Sequence, residues 1–331
     1  MRKILYIATL LLLVSCSPKR PVYRTVDGSM LGTTYHVVAR TTCDEATLRE
    51  ELADIDRRMR ASMSIFEEGS LLGRVNDNLT DSLDCHIERN IEIAAAVNSI
   101  SSGMYDITVK PLTDAYGFAA KGRIEQPNLD SLLQFVGFSK FRVEDHRIIK
   151  SDPRVQIDLN SVAKGYVVDV VAARLDELGC TDYIVEIGGE IRSRGVNANG
   201  KAWRVGIDAP YEGNYSPGVY RQTVVNIGDA ALASSGNYRR FYTNAAGEKI
   251  VHTVNPLTGC SAQSRLLSAT VITTRCAVAD ALATMFMAVG EERAKSLAVQ
   301  MSDSVQVYFI LAPRTGNEFE IYSTLRSQTQ N

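Results

Sequence analysis

The chain has 331 residues, of which 45% are hydrophobic and 22% are charged, and its formal net charge is -2. This length is enough to bury one sizeable core, or two lobes that share one. The charge balance is near neutral, without an acidic tail or a basic patch, which argues against a nucleic-acid partner. The sequence shows no internal repeat and no strong linker after residue 27, so we expect one continuous domain over 28–331.

The first residues, 1–15, have the layout of a secretory signal peptide. Arg2 and Lys3 precede an apolar run of about ten residues, which is too short for a permanent membrane span. The segment ends in Leu-Val-Ser before Cys16, and this resembles a bacterial lipobox in which Cys16 is diacylated and becomes the new N-terminus. Residues 16–27 contain two prolines and three basic residues. We therefore predict a lipidated cysteine and a tether that holds the domain at a membrane surface.

The cysteine and histidine patterns give no metal or redox motif. Besides Cys16 the chain has five cysteines, an odd number, so at least one thiol stays free in an oxidising compartment. No C-x-x-C pair and no H-E-x-x-H motif is present. Zinc binding and thiol redox chemistry therefore have little support.

The first part of the chain predicts a strand at 34–39 and two helices. The helix at 45–60 has an apolar stripe and a capping box formed by Thr42 and Glu45. The helix at 87–101 ends near Gly103. The polar turn that follows it is of a kind that often contacts ligands but often only turns a corner.

A second polar turn precedes the next predicted helix. A short strand at 155–159 leads into Asp158-Leu-Asn-Ser161, and the helix then runs to Gly179. The N-terminus of a helix presents backbone N–H groups and a positive dipole end to an anion, and Lys164 adds a full charge. Capping by Asn160 or Ser161 explains the polar residues equally well.

The second half of the chain changes to strands separated by Gly, Asn and Pro turns. They are predicted at 183–187, 203–207, 220–227, 248–252 and 266–272, and we expect them to be neighbours in an antiparallel sheet. Helices at 276–290 and 291–301 and a strand at 305–311 complete the chain. Because helices and strands are segregated, the fold class is α+β, a mostly antiparallel sheet packed by helices.

The helix at 276–290 is apolar on every side except at Asp280 and Thr284, so it belongs in the interior. Four residues apart, these two side chains lie on the same helix face and can share one ligand. A buried carboxylate needs a cation, a hydrogen-bond network or a metal, and oxygen ligands suit a hard cation. In the alternative interpretation Asp280 caps the helix and Thr284 bonds back to the Asp280 carbonyl.

Other segments have small or polar residues that suit a bound group. The paired glycines at 188–189 directly follow a strand, where they permit close backbone approach or form a simple turn. The small residues at 233–238 suit an oxygen-rich ligand. His252 stands at a strand end, and a lone histidine is more often structural than catalytic. The segment 195–201 has P-loop spacing but lacks the Ser or Thr and leads into a strand, so we reject a P-loop.

Together these motifs resemble one family, the FAD:protein FMN transferases, also called the ApbE family of bacterial periplasmic lipoproteins. The resemblance runs from about Ser29 to Gly290. It rests on LGT at 31–33, SMS at 62–64, YDIT at 105–108, DLNSVAKGY at 158–166, IGGE at 187–190, SG at 235–236, HTVNPLTG at 252–259 and ADALAT at 279–284.

The resemblance implies a magnesium-dependent enzyme that splits FAD and attaches FMN to a threonine or serine hydroxyl of a target flavoprotein, releasing AMP. It implies that Mg²⁺ is held by Asp280, the Thr284 hydroxyl and the backbone carbonyl of Ser161. It also implies that His252 is the general base and that Asp280 is the second catalytic residue. The implied FAD contacts are Leu31, Phe66, Met104, Tyr105, Asp106, Asp158, Lys164, Gly188, Gly189 and Val254.

The chain departs from the family pattern at four positions. Leu31 stands where methionine is frequent, Phe66 where tyrosine is found, Ala283 where some members carry an additional acidic residue, and Cys260 where a basic residue is usual. Two other functions remain open, a FAD pyrophosphatase that yields FMN and AMP, and a flavin-binding lipoprotein without catalysis. The implied partners are extracytoplasmic flavoproteins such as redox-pump subunits or flavin reductases. The implied location is the bacterial cell envelope, lipid-anchored to the inner membrane and facing the periplasm.

Overall fold

The computed structural model describes residues 20–118, 122–211, 214 and 218–325. The strands along these residues are β1 (Val22–Met30), β2 (Thr33–Thr41), β3 (Phe141–Glu144), β4 (Arg147–Lys150), β5 (Tyr183–Ile187), β6 (Glu190–Arg194), β7 (Trp203–Asp208), β8 (Arg221–Ile227), β9 (Ala230–Gly236), β10 (Phe241–Thr243), β11 (Lys249–Val251), β12 (Leu266–Thr273), β13 (Gln306–Leu311) and β14 (Glu320–Ser323). The helices are α1 (Glu45–Met63), α2 (Leu71–Asn76), α3 (Cys85–Ser101), α4 (Lys110–Ala115), α5 (Leu129–Leu133), α6 (Ala163–Glu177), α7 (Cys276–Val289) and α8 (Glu291–Gln300).

The central element is an eight-stranded sheet in the order β1-β2-β5-β6-β9-β12-β13-β14. All neighbouring strands in it are antiparallel. The other six strands form three separate hairpins, β3–β4, β7–β8 and β10–β11. Since helices pack on this antiparallel sheet within one domain, the predicted α+β class is confirmed.

The main core lies between the sheet and its helices. α7 packs on β9 and β12, and α6, α3 and α8 cover its other sides, which explains why its sequence is apolar all round. In β5, Tyr183, Val185 and Ile187 are fully buried, so alternate residues face the helices. A smaller cluster, with Trp203 of β7 and Leu232 of β9, lies outside this main core and joins the β7–β8 hairpin to the sheet.

Several predicted elements match the structure within a few residues. The helices predicted at 45–60, 87–101, 276–290 and 291–301 are α1, α3, α7 and α8, and the helix that ends at Gly179 is α6. The strands predicted at 34–39, 183–187, 266–272 and 305–311 are β2, β5, β12 and β13. The predicted free thiol is also confirmed, because the cysteines at 43, 85, 180, 260 and 276 are all free.

The predicted neighbours in the sheet were partly wrong. The segments at 203–207 and 220–227 pair with each other as β7 and β8, outside the central sheet. The segment at 248–252 supplies β11 of another small hairpin. The predicted strands β5 and β12 do belong to the same sheet. They are not neighbours, because β6 and β9 lie between them.

The predicted tether extends too far into the domain. β1 begins at Val22 and pairs along its whole length with β2, from Val22 opposite Thr41 to Met30 opposite Thr33. Residues 22–27 therefore belong to an edge strand. The nearby prolines and basic residues led to the prediction of a tether instead of a strand. The predicted signal peptide at 1–15 and Cys16 lie outside the described residues. Along the described chain, no helix has the length and apolar character needed to cross a membrane.

The predicted strand at 155–159 is also wrong. These residues form no strand, and Ile157 bonds through both its N–H and its carbonyl to the Asn76 side chain, at 2.7 and 2.8 Å. The N–H of Asp158 donates to the Ile107 carbonyl at 2.7 Å. A side-chain amide thus takes the place of a neighbouring strand.

Two predicted helix caps differ from those in the structure. The side chain of Asp44, rather than the Thr42 and Glu45 capping box, caps α1 by accepting from the Thr47 N–H at 2.9 Å. Val162 is the N-cap of α6 and supplies no side-chain hydrogen bond, so capping by Asn160 or Ser161 is wrong. In the first turn of α6 the Ala163 N–H instead donates to the Leu159 carbonyl, and the Gly165 N–H donates to the side chain of Asp280 in α7.

Candidate active site

A cavity of about 690 Å³ lies beside the N-terminal end of α6 and one face of α7. This volume is within the usual range for a site that binds a small molecule or cofactor. The cavity brings together twelve of the predicted site residues. They are Met104, Tyr105, Asp106, Asp158, Ser161, Lys164, Gly188, Gly189, His252, Val254, Asp280 and Thr284.

Leu31 and Phe66 are not on the cavity wall. Leu31 lies in the β1–β2 turn with a φ of 53°, its N–H donates to Asp56 Oδ1 at 2.9 Å, and its side chain packs against the core. Phe66 lies in the loop after α1, and 64% of its surface is exposed. These two predicted FAD contacts therefore do not line this cavity.

The turn before α6 is held by buried polar contacts. Asp158 Oδ1 accepts from the Asn160 N–H at 2.8 Å, and the Tyr105 and Ser161 hydroxyls are 2.9 Å apart. Burial raises the pKa of both Asp158 and Tyr105. These contacts place Ser161 on the cavity wall, one turn before Lys164.

Asp280 connects α7 to α6 inside the core. Its exposed fraction is 4%, and its Oδ2 accepts from the Gly165 N–H at 3.0 Å. Burial raises the pKa of Asp280, whereas the charge of Lys164 and the Gly165 N–H act in the opposite direction. The N-cap of α7 is Arg275, and the Thr284 hydroxyl lies 3.1 Å from the Ser235 hydroxyl. The alternative in which Asp280 caps this helix is therefore wrong.

Lys164 pairs with a residue that sequence reasoning left without a role, Glu190. The ammonium of Lys164 donates to Glu190 Oε1, and Glu190 is only 2% exposed at the start of β6. Glu190 raises the pKa of Lys164. The pKa of Glu190 is itself raised by burial, against the opposing effect of Lys164. The sequence feature that could have indicated this role is the position of Glu190, an acidic residue directly after the paired glycines.

Those glycines form the tight turn between β5 and β6. Gly188 and Gly189 have φ values of 62° and 102°, in the region that side-chain-bearing residues rarely adopt. A Cβ on Gly188 would also lie 2.8 Å from the Thr33 side chain. The two interpretations of this pair are therefore compatible, because the turn also brings backbone to the cavity wall.

His252 is oriented by the backbone of Arg240. Its Nδ1 lies 3.2 Å from the Arg240 carbonyl, which can only accept, so the Nδ1–H donates and Nε2 keeps its lone pair. Burial, and then the charge of Arg240, lower the pKa of His252 to about 4. The ring is therefore neutral at pH 7 and is able to accept a proton.

The donor atoms on the cavity wall are suitable for a hard cation. Within the described ranges, no group of three or more His, Cys, Asp or Glu side chains could hold a metal ion. The Asp280 carboxylate, the Thr284 hydroxyl and Ser161 instead offer oxygen atoms around one cavity. Such a donor set fits Mg²⁺, which commonly takes few protein carboxylates and keeps several waters.

Comparisons with known proteins agree with the fold. A family model described as the ApbE family matches residues 31–309. The FAD:protein FMN transferase of Vibrio cholerae serotype O1 is 31% identical over 329 residues, which is 96% of this chain and 95% of that protein. The protein of the same name from Haemophilus influenzae is 32% identical over 332 residues, 96% of this chain and 93% of that protein. The solved structure of the flavin transferase ApbE from Vibrio cholerae superposes on this chain with a TM-score of 0.80 and 30% sequence identity. The alignment covers 92% of this chain and 97% of that chain. The chain belongs to the ApbE family.

Proposed function

We propose that this protein is a FAD:protein FMN transferase that uses Mg²⁺ to transfer FMN to a threonine or serine hydroxyl of a target flavoprotein, with release of AMP. Its relatives in Vibrio cholerae and Haemophilus influenzae bear that enzyme name, and the chain is similar to them over nearly their whole length. The observation that carries the proposal is the meeting of Asp280, Thr284, Ser161, Lys164 and His252 around one cavity.

The first requirement of this reaction is to stabilise charge on a pyrophosphate. Its negative oxygens repel a nucleophile, so cationic groups fixed in place lower the barrier. The ammonium of Lys164, which also pairs with Glu190, and the positive end of the α6 dipole lie at one end of the cavity. Mg²⁺, held by Asp280, the Thr284 hydroxyl and the Ser161 carbonyl, would neutralise further charge on the phosphate oxygens.

The second requirement is a base for the incoming hydroxyl. The neutral Nε2 of His252 removes the hydroxyl proton while the acceptor oxygen attacks the phosphorus of the FMN half. The bond from that phosphorus to the bridging oxygen breaks, and AMP leaves with the bridging oxygen. General-base assistance of this kind contributes about 10²- to 10⁴-fold to the rate.

An acceptor-dependence assay tests the proposal. The protein is incubated with FAD, Mg²⁺ and a candidate extracytoplasmic flavoprotein, and AMP and denaturation-resistant flavin on the acceptor are measured. We expect both products, and AMP release that depends strongly on the acceptor. Equal AMP release without an acceptor would instead indicate a FAD pyrophosphatase. Tight FAD binding with FAD left intact would indicate a flavin-binding protein without catalysis.

We further propose that acyl chains on Cys16 anchor the enzyme in the bacterial cell envelope, on the inner membrane and facing the periplasm. The lipobox-like residues before Cys16 and the preceding apolar segment support this location. Fatty-acid labelling and fractionation of the wild type and of Cys16→Ser test it. We expect the label and the membrane association to be lost in the variant. An unlabelled wild type in the soluble fraction would contradict the anchor.

A further inference from the structure

Two adjacent residues at the start of α6 hold two buried carboxylates on the cavity wall. The Gly165 N–H donates to Asp280 Oδ2 at 3.0 Å, and the Lys164 ammonium donates to Glu190 Oε1. Both acids line the cavity, and each is at most 4% exposed. Glu190 therefore belongs to the same charged cluster as the proposed Mg²⁺ ligand Asp280.

The second oxygen of Glu190 is not used by this pairing. Oε2 is buried and accepts no hydrogen bond from another residue of the described chain. A buried carboxylate oxygen without a partner is costly, so its presence beside a cavity calls for a donor from the ligand side. Lys164 is engaged with Oε1, so Oε2 is the oxygen of Glu190 that lacks a partner among the described residues.

The charges of the cluster favour a dication. One ammonium, that of Lys164, stands among the two carboxylates of Glu190 and Asp280, so the cluster carries one excess negative charge when all three are ionised. Without Glu190, Lys164 would cancel Asp280, and its ammonium would repel a metal ion. Glu190 thus allows a lysine to face the phosphates beside a cation.

We propose that Glu190 is an outer-sphere carboxylate of the cation site, with Oε2 accepting a hydrogen bond from a water bound to the divalent cation. This inference rests on the proposed function, because it requires the Mg²⁺ site. Asp280 is the one carboxylate among the three proposed ligands, so several coordination positions are left for water. Acceptors in the outer shell orient such waters and ligands and strengthen metal binding.

Mn²⁺ binding to the purified full-length protein in detergent tests the inference without catalysis. Free Mn²⁺ is measured by electron paramagnetic resonance during a titration in the absence of FAD. We expect Glu190→Gln to weaken Mn²⁺ binding by about 10- to 100-fold, and Asp280→Asn to abolish it. The matched control is Glu186→Gln, since Glu186 also lines the cavity but accepts from the Gly189 N–H. The control should keep wild-type affinity.

A double variant separates contact with the hydrated cation from simple neutralisation of Lys164. The double variant Lys164→Met/Glu190→Gln leaves no ammonium without a partner carboxylate. It therefore also serves as a control in case the single variant Glu190→Gln misfolds. Weak Mn²⁺ binding in the double variant supports the outer-sphere role, whereas recovery to wild-type affinity overturns it. Unchanged affinity in Glu190→Gln, with binding lost in Asp280→Asn, overturns this role and leaves the proposed function intact. A wild type that binds no Mn²⁺ contradicts the cation site and the role of Glu190 together.

Discussion

The backbone N–H of Gly165 donates to Asp280 Oδ2 at 3.0 Å, and this bond joins the first turn of α6 to the buried helix α7. It is possible only because Gly165 has no side chain. A Cβ at this position would lie 2.4 Å from the Cys276 carbonyl oxygen and 2.8 Å from the Asp280 Cβ. The glycine is thus needed for the close approach of two helices.

Gly165→Ala should therefore force the helices apart. We expect the free energy of unfolding to fall by about 1–3 kcal/mol, as for other overpacked cores. FMN transfer should fall as well, because Asp280 would move from its position. Gly228→Ala is the control, since a Cβ on Gly228 meets nothing within 4 Å. Urea unfolding and AMP release measure the two effects. Wild-type stability of Gly165→Ala would show that the helices adjust without cost.

A side chain from α6 also caps α7. The α7 N-terminus has no cap of its own, and Asp169 accepts from the N–H groups of Cys276 and Ala277, both at 3.0 Å. Replacing a capping acid by alanine removes about 0.5–2 kcal/mol, so Asp169→Ala should unfold at lower urea concentration. Glu177 serves as control, because it lies on the same helix and pairs with Arg174 in an exposed ion pair.

Glu177→Ala should change stability by about 0–1 kcal/mol, as expected for a surface pair. The urea midpoints of the two variants give the comparison. Equal midpoints would mean that the Asp169 hydrogen bonds do not stabilise α7.

Sequence periodicity predicted the five longer helices, because their apolar residues recur over ten or more positions, but it missed the short helices α2, α4 and α5. It missed β6 and β9, and the reason is physical. β9 reads AALASSG, whose small residues have weak strand propensity but allow α7 to pack closely, with Ala231 and Ala233 fully buried. β6 reads EIRSR, and its first residue faces the cavity. Local preference thus failed in strands that form the cavity wall.

The candidate site was predictable where one element carried the signal. An acid in the otherwise apolar α7 indicated either a buried cation site or a helix cap, and the family resemblance then favoured the cation site. The role of Glu190 was not predictable, because its partner Lys164 lies 26 residues away and the pair forms only when β6 meets α6. The cap of α7 was missed for the same reason, since it comes from Asp169 of another helix.

The low pKa of His252 leads to a pH prediction. Burial and the charge of Arg240 lower it to about 4, so the base keeps its lone pair until the pH falls close to that value. We expect kcat/KM for FMN transfer to stay level from pH 8 down to about pH 5 and to decline below it. The pH profile, with the folded fraction measured at each pH, provides the test. An acid limb centred near 6.5, the ordinary histidine value, would contradict this environment.

Removal of the cation should reduce the rate more than removal of the base. His252→Asn loses general-base help, which is worth about 10²- to 10⁴-fold. Chelation by EDTA, or Asp280→Asn, removes charge stabilisation that acts on the pyrophosphate whichever nucleophile attacks. We therefore expect AMP release and acceptor labelling to be lower with EDTA than in His252→Asn, and to return when Mg²⁺ is added back.

The same comparison tests whether Asp280 acts through the metal. Added Mg²⁺ should restore the chelated wild type but not Asp280→Asn, because the variant lacks the one carboxylate among the proposed ligands. His252→Asn should still bind Mn²⁺ with wild-type affinity, since His252 is not among those ligands. If Asp280→Asn keeps wild-type levels of both AMP release and acceptor labelling, the buried acid has no part in catalysis, and the mechanism built on it must be rejected.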